Sequence, residues 1–223
     1  GFELVTPDRL VDTRVGGPVA QGGTLRVPVP AGVDAVAVNL TVDQPSGAGY
    51  LTAYPCGIDQ PLVSNLNFVA GQTVANQAHV SVGEDAICVF ASVETHVIFD
   101  LVGVFGDEGD LAVATSNPSR VLETRYDHVL VAGTPRTITI DGVPTGTRAV
   151  SVNLTATDAT GPGYLTVHNC AGPVPTSNLN FVPGRATANH AIVELGTNNE
   201  ICIESSIDTH VVVDVQGTWR TID

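Results

Sequence analysis

The chain has 223 residues, 43% of them hydrophobic, and a formal net charge of −14. That length suits one large domain or two ordinary ones, and the apolar share excludes a disordered chain. All nine basic residues are arginine, so the charge argues against nucleic acid, which needs a concentrated basic surface, and the lack of lysine excludes Schiff-base chemistry.

No apolar run approaches the ~18–20 residues needed to cross a bilayer, so membrane insertion is not expected. The segment Gly1-Phe2-Glu3 has no basic stretch leading into an apolar one, and the expectation is that any export signal has been removed. Val and Ala dominate the apolar set beside abundant Thr, Gly and Pro, a mix that suits strands and tight turns.

In chain order, short β-forming runs lie near 9–14, 24–29, 35–42, 49–54, 64–69, 74–82, 86–92 and 95–105, separated by Gly, Pro, Asn or Asp. Eight more follow near 120–125, 135–140, 148–156, 163–168, 177–182, 187–195, 200–204 and 208–219. No stretch shows a helical period with caps.

The second series copies the first. Arg9-Leu10-Val11-Asp12-Thr13-Arg14 returns as Arg120-Val121-Leu122-Glu123-Thr124-Arg125, and Val38-Asn39-Leu40-Thr41 as Val152-Asn153-Leu154-Thr155. Gly49-Tyr50-Leu51-Thr52 matches Gly163-Tyr164-Leu165-Thr166. Ser64-Asn65-Leu66-Asn67-Phe68 is intact at Ser177-Asn178-Leu179-Asn180-Phe181, and Thr95-His96-Val97 returns as Thr209-His210-Val211. The offsets stay between 111 and 114 residues, as short loop insertions produce. A domain-sized period occurring twice predicts two homologous domains, 1–108 and 109–223, joined at Gly106-Asp107-Glu108-Gly109-Asp110.

Alternation sorts the faces: Val36, Val38, Leu40 and Val42 point one way, and Ala35, Ala37, Asn39 and Thr41 the other. The expected fold is therefore all-β, two tandem antiparallel β-sandwich domains, Ig-like or jelly-roll-like. Cys56 and Cys88 are 32 residues apart, as are Cys170 and Cys202, so the expected pairing is within each copy. Disulfides place the protein outside the reducing cytoplasm.

Site residues are weighed against structural uses. Asn65, Asn67, Asn178 and Asn180, with Tyr50 and Tyr164, are candidates for a sugar-binding face; the favoured reading is that the asparagines bond backbone groups at strand ends. Arg9, Asp12, Arg14 and Asp100 recur as Arg120, Glu123, Arg125 and Asp214, and charges set among apolar strands are expected to form structural ion pairs. Of six histidines, only His96 and His210 correspond, so no catalytic or metal constellation is duplicated; no enzyme activity, metal or cofactor is expected. The acidic junction lacks EF-hand spacing.

Together, Pro7-x-Arg9-Leu10-Val11-Asp12-Thr13-Arg14, Val38-Asn39-Leu40-Thr41, Gly49-Tyr50-Leu51-Thr52, Ser64-Asn65-Leu66-Asn67-Phe68 and Thr95-His96-Val97-x-x-Asp100-x-x-Gly103-x-Phe105 resemble a repeat domain of secreted actinobacterial proteins. That resemblance implies a tandem module at the cell exterior and carries no ligand or residue role. Copy two departs from it at Glu123 and at Thr218-Trp219. The expectation is a secreted or cell-surface module with a structural, adhesive or self-assembling role. Its partners would be a cell-surface protein, a glycan or further copies. The alternative is a carbohydrate- or cell-wall-binding module, and a hydrolase ranks third.

Overall fold

Strands of alternating polarity have one apolar face to bury, and two such sheets satisfy each other. The computed structural model describes residues 1–172 and 174–222. The chain divides into two compact units, Gly1–Gly109 and Asp110–Asp223.

Unit 1 comprises β1 (Phe2–Asp12), β2 (Thr24–Pro28), β3 (Ala35–Asp43), β4 (Gly49–Pro55), β5 (Leu66–Phe68), β6 (Val74–Ser81), β7 (Ala86–Ala91) and β8 (His96–Phe105). Within it, strands neighbour one another as β1-β8-β3-β6 and as β2-β7-β4-β5. The antiparallel pairs β1–β8, β2–β7, β3–β6 and β4–β5 are nested. A long hairpin wrapped over itself gives that nesting, which is the jelly roll.

Unit 2 comprises β9 (Leu111–Glu123), β10 (Arg136–Thr139), β11 (Thr147–Thr157), β12 (Gly163–His168), β13 (Leu179–Phe181), β14 (Thr187–Glu194), β15 (Glu200–Ser205) and β16 (His210–Thr221). Its orders, β9-β16-β11-β14 and β10-β15-β12-β13, repeat those of unit 1. Of the two sandwich types expected, the jelly roll is the one present in both units.

Each unit has its own core. Val36, Val38, Leu40, Val97, Phe99 and Leu101 meet Leu51, Leu66, Phe68, Ile87 and Val89 in unit 1. Val150, Val152, Leu154, Val211 and Val213 meet Leu165, Leu179, Phe181, Ile201 and Ile203 in unit 2. Fully burying one such side chain stabilises by about 1.5–3 kcal/mol. The disulfides Cys56–Cys88 and Cys170–Cys202 tie the segments just after β4 and β12 to the neighbouring strands β7 and β15 of the same sheet, not one sheet to the other.

Two departures from the sequence reading have local causes. The first strand starts at Phe2 and stops at Asp12, where the side chain accepts a bond from the Arg14 N–H and caps a one-turn helix, Thr13–Gly16. In unit 2 a 3₁₀ turn, Thr124–Tyr126, occupies the same place. In unit 1 the short Asp12 carboxylate helps start the turn by satisfying the otherwise orphaned Arg14 N–H.

Candidate functional site

The duplicated charged residues come together on the outward face of the β1-β8-β3-β6 sheet. Arg9 grips Asp100 with two bonds, Nε–Oδ1 at 2.8 Å and Nη2–Oδ2 at 3.1 Å. Arg14 grips Asp12 through Nε at 2.9 Å and Nη2 at 2.6 Å, and Arg9 reaches Asp12 at 3.5 Å. Unit 2 reproduces the network. Arg120 holds Asp214 at 2.8 and 3.1 Å, Arg125 holds Glu123 at 2.6 and 2.8 Å, and Arg120 bonds Glu123 at 2.8 Å. The Arg14 guanidinium beside Asp12 brings its carboxyl down to about 2, and Arg125 does the same for Glu123. Burial pushes the Asp100 carboxyl up, opposed by Arg9.

Strand register extends each bridge into a row. Arg9 faces Asp100, Asp100 faces Asn39 and Asn39 faces Gln77; in unit 2 the row is Arg120, Asp214, Asn153 and His190. An aspartate in the central strand β8 is tolerated because a bidentate arginine lies across it.

The other repeated polar residues are spent on the backbone. The Thr13 hydroxyl accepts the Val97 N–H at 2.8 Å, and Thr124 accepts that of Val211 at 2.7 Å. Thr95 donates to the Asp43 carbonyl and Thr209 to that of Thr157. Asn65 Oδ1 accepts the Ala53 N–H at 2.8 Å while its carbonyl accepts Asn76 Nδ2 at 2.7 Å. Asn178 does the same with Val167 and Asn189, at 2.8 and 2.6 Å. Each of these bonds ties a residue between strands to a strand. Asn65 and Asn178 thus have their side-chain oxygens turned to the backbone rather than presented on a sugar-facing surface.

Tyr50 and Asn67 differ. They are cross-strand partners on the outward face of β4 and β5, as Tyr164 and Asn180 are on β12 and β13. Tyr50 is 37% exposed and Tyr164 48%. Asn67 Nδ2 donates to Ser64 Oγ at 3.1 Å, and the Tyr50 ring lies 5.9 Å from that of Phe90. Neither tyrosine hydroxyl has a bonding partner among the described residues. Gly49 and Gly163 before them are required by space: a Cβ on Gly49 would sit 2.5 Å from Ser92 Oγ, and one on Gly163 would sit 2.6 Å from an Ile207 methyl.

Sequence reading passed over one pair on the same face of unit 2. His168, 7% exposed, accepts the Cys170 N–H at its Nδ1 (3.2 Å), so its Nε2 carries the proton and donates to Glu204 at 3.1 Å. The available signal was the joint replacement of Tyr54 by His168 and Phe90 by Glu204 at matching positions. Trp219 was placed only as the counterpart of Phe105; its Nε1 donates to Ser151 at 2.9 Å. Among the described residues no three His, Cys, Asp or Glu side chains are grouped to hold a metal ion, and no helix is long and apolar enough to cross a membrane.

No protein-family model matches the chain, and no curated protein does. Among solved structures it is similar to the tandem CBM22-1–CBM22-2 domains of Paenibacillus barcinonensis Xyn10C, at 11% identity and a TM-score of 0.28 over 98% of this chain and 99% of that one. It is also similar to N-glycanase F (12%, TM-score 0.29, over 97% and 96%) and to the major capsid protein P2 of bacteriophage PM2 (10%, TM-score 0.25, over 100% and 98%). At such TM-scores these likenesses say nothing of what this chain does.

Proposed function

We propose that the chain is a non-catalytic, secreted or cell-surface module with an adhesive or structural role. One observation carries this reading. The charged and polar residues that both copies share, from Arg9, Asp12, Thr13 and Asp100 to Asn65 and Asn76, are bonded to one another or to the backbone of their own unit, and their counterparts repeat the bonds. A reacting carboxylate must be free to exchange a proton or meet a substrate, and these are neutralised by arginine. The two disulfides support an oxidising exterior as its location.

The test pairs a catalytic screen with a binding screen. Concentrated protein is incubated with chromogenic glycosides, esters and peptides, and fluorescently labelled protein with washed bacterial envelopes. The expected result is saturable envelope binding with no turnover above buffer. Turnover that disappears on replacing a histidine or aspartate would overturn the reading.

A glycan ligand is the second reading, and a specific observation favours it. Tyr50 with Asn67, and Tyr164 with Asn180, are repeated side chains that stay on the surface while their neighbours in the same motifs are drawn into the scaffold.

A further inference from the structure

The two copies share a scaffold, so exposed positions where they part company are where their ligands can differ. The outward face around the Tyr–Asn pair is such a place. In unit 1, Phe90 of β7 stands beside Tyr50, their rings 5.9 Å apart and tilted by 40°. Thr52 lies between them and the loop after β4, its hydroxyl donating to the Val63 carbonyl at 2.6 Å, and Val63 itself is 58% exposed. In unit 2 the position of Phe90 is taken by Glu204, which faces Thr166 and accepts the His168 Nε2–H. Both copies keep the exposed tyrosine beside an amide; unit 1 adds a half-buried second aromatic ring where unit 2 has a half-buried carboxylate.

We propose that this face of unit 1 is a subsite for a neutral pyranose. It rests on the glycan reading above and names the unit and the chemistry. Tyr50 and Phe90 offer apolar ring surface to the C–H face of the sugar, and Asn67 with Ser64 supplies an amide and a hydroxyl for its hydroxyls. The Tyr50 hydroxyl, without a partner among the described residues, is a further donor. In unit 2, stacking is disfavoured: sugar placed over Glu204 would strip water from a carboxylate without meeting a charge of opposite sign. The tandem is therefore one binding copy and one scaffold copy.

The experiment is native affinity electrophoresis of the full chain in gels cast with uronic-acid-free arabinoxylan, mannan, β-glucan or galactan. These are neutral polysaccharides, so retardation of this acidic protein reports sugar contact rather than charge. The variants are Tyr50→Ala, Phe90→Leu, which keeps apolar bulk but removes the ring, and Tyr164→Ala, each checked for an unchanged thermal transition. In at least one gel the wild type is expected to be retarded, with Tyr50→Ala and Phe90→Leu each weakening binding by about fivefold to tenfold and Tyr164→Ala by less than about twofold. Equal loss from Tyr164→Ala would overturn the assignment to unit 1 and leave the glycan reading standing. Retardation insensitive to Tyr50→Ala and Phe90→Leu would overturn the subsite and move the sugar elsewhere. A wild type that runs freely in all four gels would sink both.

Discussion

Arg9 and Arg120 hold Asp100 and Asp214 at the same pair of distances, 2.8 and 3.1 Å, yet the two aspartates sit in different surroundings: the Asp100 side chain is 2% exposed and that of Asp214 is 22%. Identical geometry at unequal depth should have unequal energetic weight, because a buried charge that loses its partner has no water to turn to.

Arg9→Ala is accordingly expected to destabilise unit 1 by about 2–4 kcal/mol, because it leaves the buried Asp100 carboxylate unpaired, and Arg120→Ala to destabilise unit 2 by less, because Asp214 reaches water. Urea unfolding of the two variants measures both. Equal losses would show that depth does not govern the pair.

Acid should loosen the fold through Asp12 and Glu123. Their carboxyls ordinarily titrate at 3.8 and 4.5 and are drawn down to about 2 by Arg14 and Arg125. A depressed folded-state value means that the unfolded chain binds protons first, so the stability they contribute is present above pH ~4.5 and is lost as pH falls towards about 2. Asp100, raised by burial, has the opposite sign and regains stability as it protonates. Urea midpoints taken between pH 7 and pH 2.5 should fall less steeply in an Asp12→Asn, Glu123→Gln double variant. An unchanged slope would assign the acid response to other groups.

Gly103 is fixed by Phe2. A Cβ there would stand 2.3 Å from Phe2 Cζ and 2.7 Å from the Glu3 carbonyl oxygen. Gly103→Ala is expected to cost about 2–3 kcal/mol, and adding Phe2→Leu should recover part of it. The backbone contact prevents full recovery. A neutral Gly103→Ala, read by thermal unfolding, would mean that β1 shifts freely on β8.

Each disulfide spans 32 residues of sequence. On the loop-entropy model, replacing Cys56 and Cys88 together by serine should cost about 3–4 kcal/mol, measured in urea on the oxidised protein. Loss of much less would mean that the β4–β7 ladder already restrains the unfolded chain.

Much of this architecture was legible in the residues, for reasons that differ by element. Alternation in Val36-Ala37-Val38-Asn39-Leu40 reports which face is apolar, and the core of unit 1 contains Val36, Val38 and Leu40. The equal spacing of the two Cys pairs reports a shared local loop. Pairing order was not legible, because period two says that a strand has two faces and not which strand lies beside it; the choice between jelly roll and Ig-like needed coordinates. Within the candidate site, Tyr50 and Asn65 look alike as repeated polar positions, yet one is exposed and the other is tied to Ala53. Sequence does not encode where an amide points. The pairing of His168 with Glu204 escaped notice because duplication was used as a filter, and that filter gives little weight to whatever one copy has acquired alone.

The nested pairing has one more consequence. In unit 1 the Gly1 ammonium donates to the Gly106 carbonyl and the Gly106 N–H returns a bond to Gly1, while in unit 2 the Ile222 N–H reaches the Asp110 carbonyl. The thread therefore enters and leaves each bead at the same spot. A bead of that kind can be strung, doubled or cut out without reopening its walls, which makes the fold well suited to growth by copying.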